Sequence, residues 1–224
     1  MKEFREELTY RFEQIADPEL AIPMKAYLKG RFDMYGIKAP DRKAAYKDLM
    51  AQTKSWSYAE IESMAVWCWD QPQRDYHYFG TDLVQKRQKK LPEESIDLLE
   101  WMITNNSWWD AVDSLASNPV GTLARKYASV WDKMEEWIDH DNMWLRRSAL
   151  IYQLKSKDEM DEERLFDFSL RRKEETEFFI RKAIGWALRQ YSAIDKEAVI
   201  KFVENNQDFS GLTKREALKH KFHE

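Results

Sequence analysis

The chain has 224 residues, 43% hydrophobic and 34% charged, which is the balance of a folded globular protein and not of a disordered one. Six Gly and six Pro supply little turn chemistry for short strands, the single Cys excludes an internal disulfide framework, and no run approaches the ~20 apolar residues of a membrane span. The formal net charge of −4 hides a segregation, because residues 21–54 carry eight Lys or Arg against three Asp while residues 1–20 carry six acids against three bases. A local phosphate-binding face and a solvated helix surface explain that basic segment equally well.

In chain order, nearly every segment carries helical periodicity, and no convincing strand is found. The spacing predicts helices over 3–14, 18–34, 40–52, 57–69, 73–89, 92–104, 108–115, 119–137, 141–155, 160–172, 177–190, 195–204 and 212–222. Met1 to Glu7 has no apolar stretch and does not read as a signal peptide. Ser57 with Glu60 and Thr213 with Glu216 have capping-box spacing, and Pro40 and Pro92 suit a first helical turn. Cys68 lies in the apolar run from Met64 to Trp69 and reads as an inert buried thiol; with one Cys, a reducing cytoplasm is the expected setting. Leu145, Ala149 and Tyr152, and again Ile180, Ile184 and Leu188, mark buried helical stripes.

The helices also repeat. A basic pair followed by small and apolar positions begins at 42, 146, 181 and 214, with a weaker copy at Arg74, and the gaps are 32, 72, 35 and 33 residues. The 72-residue gap places one further copy near residue 110. A period in the thirties filled by two helices marks an α-solenoid: an all-α, single-domain superhelix over 1–224, with corresponding helices lining one concave surface. A basic row on that surface suits a phosphate backbone, although bases pairing with acids on adjacent repeats would give the same pattern.

The copy near 110 reads Ser107-Trp108-Trp109-Asp110-Ala111-Val112-Asp113, with aromatics and acids where the others carry bases. Trp109 and Asp113 stand at i and i+4, on one helix face. An aromatic wall beside a carboxylate suits a transition state that is a cation; a buried Trp and a surface acid are the bland alternative. His77, His140, His220 and His223 have no spacing with Cys or carboxylates that would make a metal site.

Together with Asp141-Asn142-Met143-Trp144-Leu145-Arg146-Arg147, Lys182 to Arg189, Lys214-Arg215-Glu216-Ala217, Tyr27 and the Gly36-Ile37-Lys38-Ala39-Pro40 turn, this motif resembles the AlkD family of DNA alkylation-repair glycosylases over almost the whole chain. The resemblance implies a HEAT-like repeat fold and a monofunctional glycosylase that removes cationic N3- and N7-alkylpurines from duplex DNA. It implies no metal or organic cofactor, no tight base-flipping pocket and little action on neutral lesions such as uracil. No lysine is placed as a Schiff-base nucleophile, so lyase activity is not expected. By the same resemblance Asp113 stabilises the oxocarbenium-like sugar and orients water, Trp109 and Trp186 lie against the deoxyribose, and Arg147 grips phosphate. Tyr27, Lys38, Arg42, Lys43, Arg189 and Lys214 are the further candidate DNA contacts. The expected partner is alkylated duplex DNA, with no membrane and no obligate protein partner. A monomer in a bacterial-type cytoplasm, on the nucleoid when bound to DNA, completes the expectation. A non-catalytic DNA-binding relative and a protein-binding scaffold are the competing readings.

Overall fold

A computed structural model describes residues 1–219 as an all-α helical-repeat protein. It divides into two compact units, Met1–Pro92 and Glu93–Glu224. No strand occurs among the described residues, only an isolated parallel bridge between Asp33 and Gln73. His220, His223 and the last residues of the helix expected over 212–222 lie outside the described residues.

The first unit contains α1 (Lys2–Gln14), α2 (Pro18–Tyr27), α3 (Ala39–Ala45), α4 (Lys47–Gln52), α5 (Tyr58–Trp69) and α6 (Arg74–Arg87). Asp17 caps α2 by accepting the Glu19 and Leu20 N–H groups at 2.9 and 3.0 Å. Ser57 and Glu60 form the expected capping box, and Pro40 stands in the first turn of α3. Two expected helices are shorter than their periodicity suggests. The helix expected to reach 34 stops at Tyr27 because Lys29 and Gly30 take left-handed φ values of 59° and 70°. The run 40–52 is broken at Tyr46, whose φ of −109° and ψ of 12° leave the helix for one residue. Gly36, at φ 80°, carries the turn into α3; a Cβ there would lie 2.0 Å from the Asp17 carbonyl.

The core of this unit is built from Leu8, Phe12, Tyr46, Met64, Phe79 and Leu83, all buried. Cys68 is fully buried, and burial pushes its thiol up and out of reactive range.

The second unit contains α7 (Ser95–Thr104), α8 (Trp109–Leu115), α9 (Gly121–Lys126), α10 (Ser129–Ile138), α11 (Met143–Ile151), α12 (Glu162–Arg171), α13 (Phe178–Tyr191), α14 (Lys196–Asn205) and α15 (Gly211–Ala217). Pro92 precedes α7 by a turn instead of opening it. The helix expected over 119–137 is two helices, with Tyr127 extended between them. A wide π-helical turn, Ala116–Val120, joins α8 to α9 and holds Pro119, which has no N–H to donate. Here the repeat is plain. Helix α10 packs on α11, α12 on α13 and α14 on α15, while α11, α13 and α15 pack on one another in succession. The stripes Leu145/Ala149/Tyr152 and Ile180/Ile184/Leu188 are buried as the periodicity requires.

The α13–α15 contact is close because of Gly185, where a Cβ would stand 2.5 Å from the Glu216 Cβ and 2.8 Å from the Thr213 carbonyl. The cap of α15 differs from expectation. Ser210, not Thr213, is the cap: its hydroxyl accepts the Thr213 N–H at 3.0 Å, and Thr213 is buried inside the helix.

Candidate active site

Two helices of the second unit meet at a buried ion pair. Arg147, in the second turn of α11, donates from Nε to Asp113 Oδ1 at 2.7 Å and from Nη2 to Oδ2 at 2.8 Å. This is the two-pronged geometry that matches guanidinium to carboxylate. The Arg147 side chain is 5% exposed and that of Asp113 17%, so the carboxylate alone retains an opening to solvent. Arg147 is further fixed by donating from Nη1 to the Phe179 carbonyl at the start of α13, with its guanidinium 5.7 Å from the Phe179 ring centroid. Asn142 sets the start of α11 by accepting the Trp144 N–H at 2.9 Å.

Behind the pair stands an aromatic wall. Trp108 lies 5.7 Å from Trp144 and 5.3 Å from Phe179 between ring centroids, and Trp144 lies 5.1 Å from Phe179. Trp108 is buried, whereas Trp109, the next residue and the i−4 neighbour of Asp113, is half-buried. Trp186 on α13 is likewise half-buried, on a helix whose Ala183, Ile184, Ala187 and Leu188 are core.

Burial pushes the Asp113 carboxyl above its ordinary value, the Arg147 hydrogen bonds and charge pull it back, and the Asp110 charge adds to the rise. The carboxylate is therefore poorly hydrated and has one fixed counter-charge. A second positive charge reaching its open side would be strongly attracted.

The sequence assigned Arg147 to a phosphate. In the structure its guanidinium is buried and committed to Asp113 and Phe179, which makes it the holder of the carboxylate. Arg42 is also placed differently from expectation: 6% exposed, it lies over the Tyr78 ring at 4.2 Å and backs a small apolar hollow lined by Met24, Tyr27, Leu28 and Met34. Little of its surface is left for a phosphate to reach. Tyr27, Lys38 and Lys43 are exposed on the same unit, Lys43 near Asp82 at 3.9 Å. Arg189 bonds Glu216 at 2.7 Å, and Lys214 Nζ donates to the Gln207 carbonyl at 2.9 Å.

The basic repeat positions of the second unit thus largely serve neighbouring repeats. Arg146 pairs with Glu175 at 2.7 Å, Lys182 with Glu216 at 2.8 Å, and Arg181 donates to the Glu175 carbonyl at 2.7 Å. In the first unit Arg74 is fully buried over the Phe32 ring at 4.0 Å. Sequence reading missed Phe179 and the walls Trp108 and Trp144. The last two sit inside the motifs already singled out, but Phe179 acts through a backbone carbonyl, which leaves no mark in residue type. Among the described residues no group of three or more His, Cys, Asp or Glu is placed to hold a metal ion.

The chain matches the DNA alkylation repair enzyme family over residues 8–220. A solved structure described as a "Predicted DNA alkylation repair enzyme from Enterococcus faecalis" superposes with a TM-score of 0.86 at 29% identity, covering 92% of this chain and 96% of that one. No curated protein matches in sequence. With an all-α repeat fold and a family match that runs almost from end to end, the chain belongs to the DNA alkylation repair enzyme family.

Proposed function

We propose that this protein is a monofunctional DNA glycosylase that hydrolyses the N-glycosidic bond of cationic N3- or N7-alkylated purines in duplex DNA. The observation that carries the reading is Asp113: a desolvated carboxylate held at both oxygens by Arg147, open on one side, and sharing a helix face with the half-buried Trp109.

Alkylation at N3 or N7 leaves the purine positively charged, so the glycosidic electron pair can depart with the base and neutralise it. No general acid is needed for that step. Positive charge then builds on the deoxyribose, where a preorganised carboxylate in a poorly hydrated site is worth far more than one in water. Asp113 supplies that charge. It also accepts a hydrogen bond from the water that attacks the anomeric carbon, as in glycoside hydrolysis by paired carboxylates. Water adds its oxygen to C1′ and its proton passes to solvent, which balances the departing base. The π faces of Trp109 and Trp186 favour the same cation. Arg147 positions Asp113 and keeps it ionised. Because lesion charge and not base shape drives the reaction, bulky adducts are accepted and neutral bases such as uracil are poor substrates.

The test is release of 7-methylguanine from methylated duplex DNA by wild type and Asp113→Asn. Release by wild type and a loss of at least ~10²-fold in the variant, on the scale of removing one preorganised electrostatic group, with DNA affinity retained, is the expected result. Equal rates in the two proteins would take Asp113 out of the chemistry. No release by wild type that still binds DNA would make the protein a non-catalytic DNA binder.

A further inference from the structure

Between α13 and α15 a single carboxylate is shared by two bases. Glu216 Oε1 lies 2.8 Å from Lys182 Nζ, and its Oε2 lies 2.7 Å from Arg189 Nη1. The same Nη1 donates to the Glu216 carbonyl at 3.2 Å. The acid is the deeper partner: its side chain is 17% exposed, against 37% for Lys182 and 21% for Arg189. The Lys182 hydrogen bond, and after it that of Arg189, holds the Glu216 carboxyl below its ordinary range against the opposing push of burial, so Glu216 is an anion at neutral pH. Lys182, Trp186 and Arg189 stand at i, i+4 and i+7 of α13 and are half-buried, whereas Ala183, Ile184, Ala187 and Leu188 among them are core. They form one stripe about 10 Å long. Under the proposed reaction Trp186 meets the lesion's deoxyribose, so the bases on either side of it stand where the flanking phosphates of that strand arrive. The junction of α15 with α13 does not depend on this acid alone, because Gly185 admits a close approach and Thr213 Oγ1 donates to the Arg181 carbonyl at 3.3 Å.

We propose that Glu216 is a specificity-determining residue, occupying Lys182 and Arg189 in the place of a phosphate and so holding down the binding of undamaged DNA. The inference rests on the reading of alkylated DNA as the substrate and adds what sets the preference for damage. Attraction of bases to phosphates is blind to the lesion, because every nucleotide carries the same charge. Two bases and one acid leave a single net positive charge beside Trp186; without the acid two would remain. An arriving phosphate must compete with a carboxylate that already accepts charge-assisted hydrogen bonds from both bases. The lesion-blind part of binding is thereby reduced, while attraction of a cationic base and sugar to Asp113 is untouched. Specificity is the difference between those two affinities, and Glu216 widens it by weakening the one that normal DNA relies on.

The experiment is equilibrium binding of an undamaged DNA duplex across a salt series, for wild type, Glu216→Gln and Glu197→Gln, the last removing the same charge from an exposed position on α14. Each base freed for a phosphate steepens log K against log salt by about 0.9. Glu216→Gln is expected to steepen it by about 0.9 to 1.8 and to bind at least ~3-fold tighter at ~0.1 M salt, while Glu197→Gln keeps the wild-type slope. In a second arm, undamaged duplex competes with methylated duplex during 7-methylguanine release, and Glu216→Gln is expected to be half-inhibited at a correspondingly lower competitor concentration. Should Glu216→Gln fail to fold, Glu216→Ala, which keeps the Cβ that packs on Gly185, carries the same test. An unchanged or shallower slope, a loss of thermal stability with no gain in affinity, or an equal gain in Glu197→Gln overturns the proposal. Absent release by wild type with a steeper slope in Glu216→Gln removes the glycosylase and keeps Glu216 as the restraint on DNA binding; release with an unchanged slope does the reverse.

Discussion

Arg147→Met removes the fork that holds Asp113 while keeping an apolar stem against Phe179. Breaking a buried pair from one side costs about 3–5 kcal/mol, because the remaining charge is left desolvated and unpaired. Asp113 keeps 17% of its side chain exposed, so water can reach it and the lower end, near 3 kcal/mol, applies. For a chain of this length each kcal/mol lowers Tm by about 2–4 °C, which gives a fall of roughly 6–12 °C. The chemistry responds separately. In the proposed mechanism Asp113 acts as an anion, and burial already pushes its carboxyl up against the downward pull of Arg147. Without that pull the carboxyl rises further, so the acidic limb of the pH–rate profile for 7-methylguanine release moves to higher pH, and activity lost at neutral pH is partly recovered in alkaline buffer. In an Asp113→Asn background the stability cost of Arg147→Met shrinks, since no charge is left stranded. An acidic limb that stays in place, or equal stability costs in both backgrounds, would refute the positioning role. Weaker binding to undamaged DNA with an unmoved limb would return Arg147 to the phosphate.

Two further outcomes follow from local geometry. Gly185→Ala would drive a Cβ to within 2.8 Å of the Thr213 carbonyl, so α15 must move off α13; a loss of about 1–3 kcal/mol in denaturant titration is expected, and a neutral effect would show that the contact is slack. Asp75 is fully buried and burial pushes its carboxyl up, partly opposed by the Tyr35 N–H that it accepts at 2.8 Å and by Arg42. A folded pKa above the unfolded one contributes stability that is complete below the ordinary carboxyl range and is lost as pH rises through the folded value. The Tm of wild type relative to Asp75→Asn should therefore fall as pH rises above the ordinary carboxyl range, and a difference that grows with pH would be incompatible with this account.

How much of this was legible in the sequence depends on whether the controlling interaction is local. The stripes at Leu145 and Ile180, the Ser57–Glu60 cap and the shared face of Trp109 and Asp113 are matters of spacing along one helix, and the structure has them as read. The breaks at Tyr46 and Tyr127 are set by packing and carry no Gly or Pro to announce them. The basic repeat positions were visible as a pattern, but their partners lie 27 to 34 residues away: Arg189 with Glu216, Arg146 with Glu175, Arg147 with Asp113. Periodicity locates such bases and is silent on whether an acid answers them. Arg42 shows the same limit, since only the fold brings Tyr78 beneath it. The Lys and Arg of residues 21–54 were visible as an excess, but that Lys86 and Lys89 line the same hollow as Lys43, Lys47 and Lys54 comes only from the packing of α6.

The wide turn between α8 and α9 divides one long helix into two lengths with separate angular settings. Upstream of it the chain is phased to bring Asp113 to Arg147; downstream it is phased to bury Gly121, Leu123 and Ala124. Gly121 lies so close to Tyr152 that a Cβ would stand 2.2 Å from its carbonyl, so the downstream length has no freedom to turn. In an unbroken α-helix each residue fixes the next at about 100°, so winding the five residues of this turn into regular α-helix with none removed would swing Asp113 by about that angle against a downstream length that cannot follow. The irregular turn is thus a phase adjuster, and it lets a carboxylate be aimed without disturbing the core beneath it.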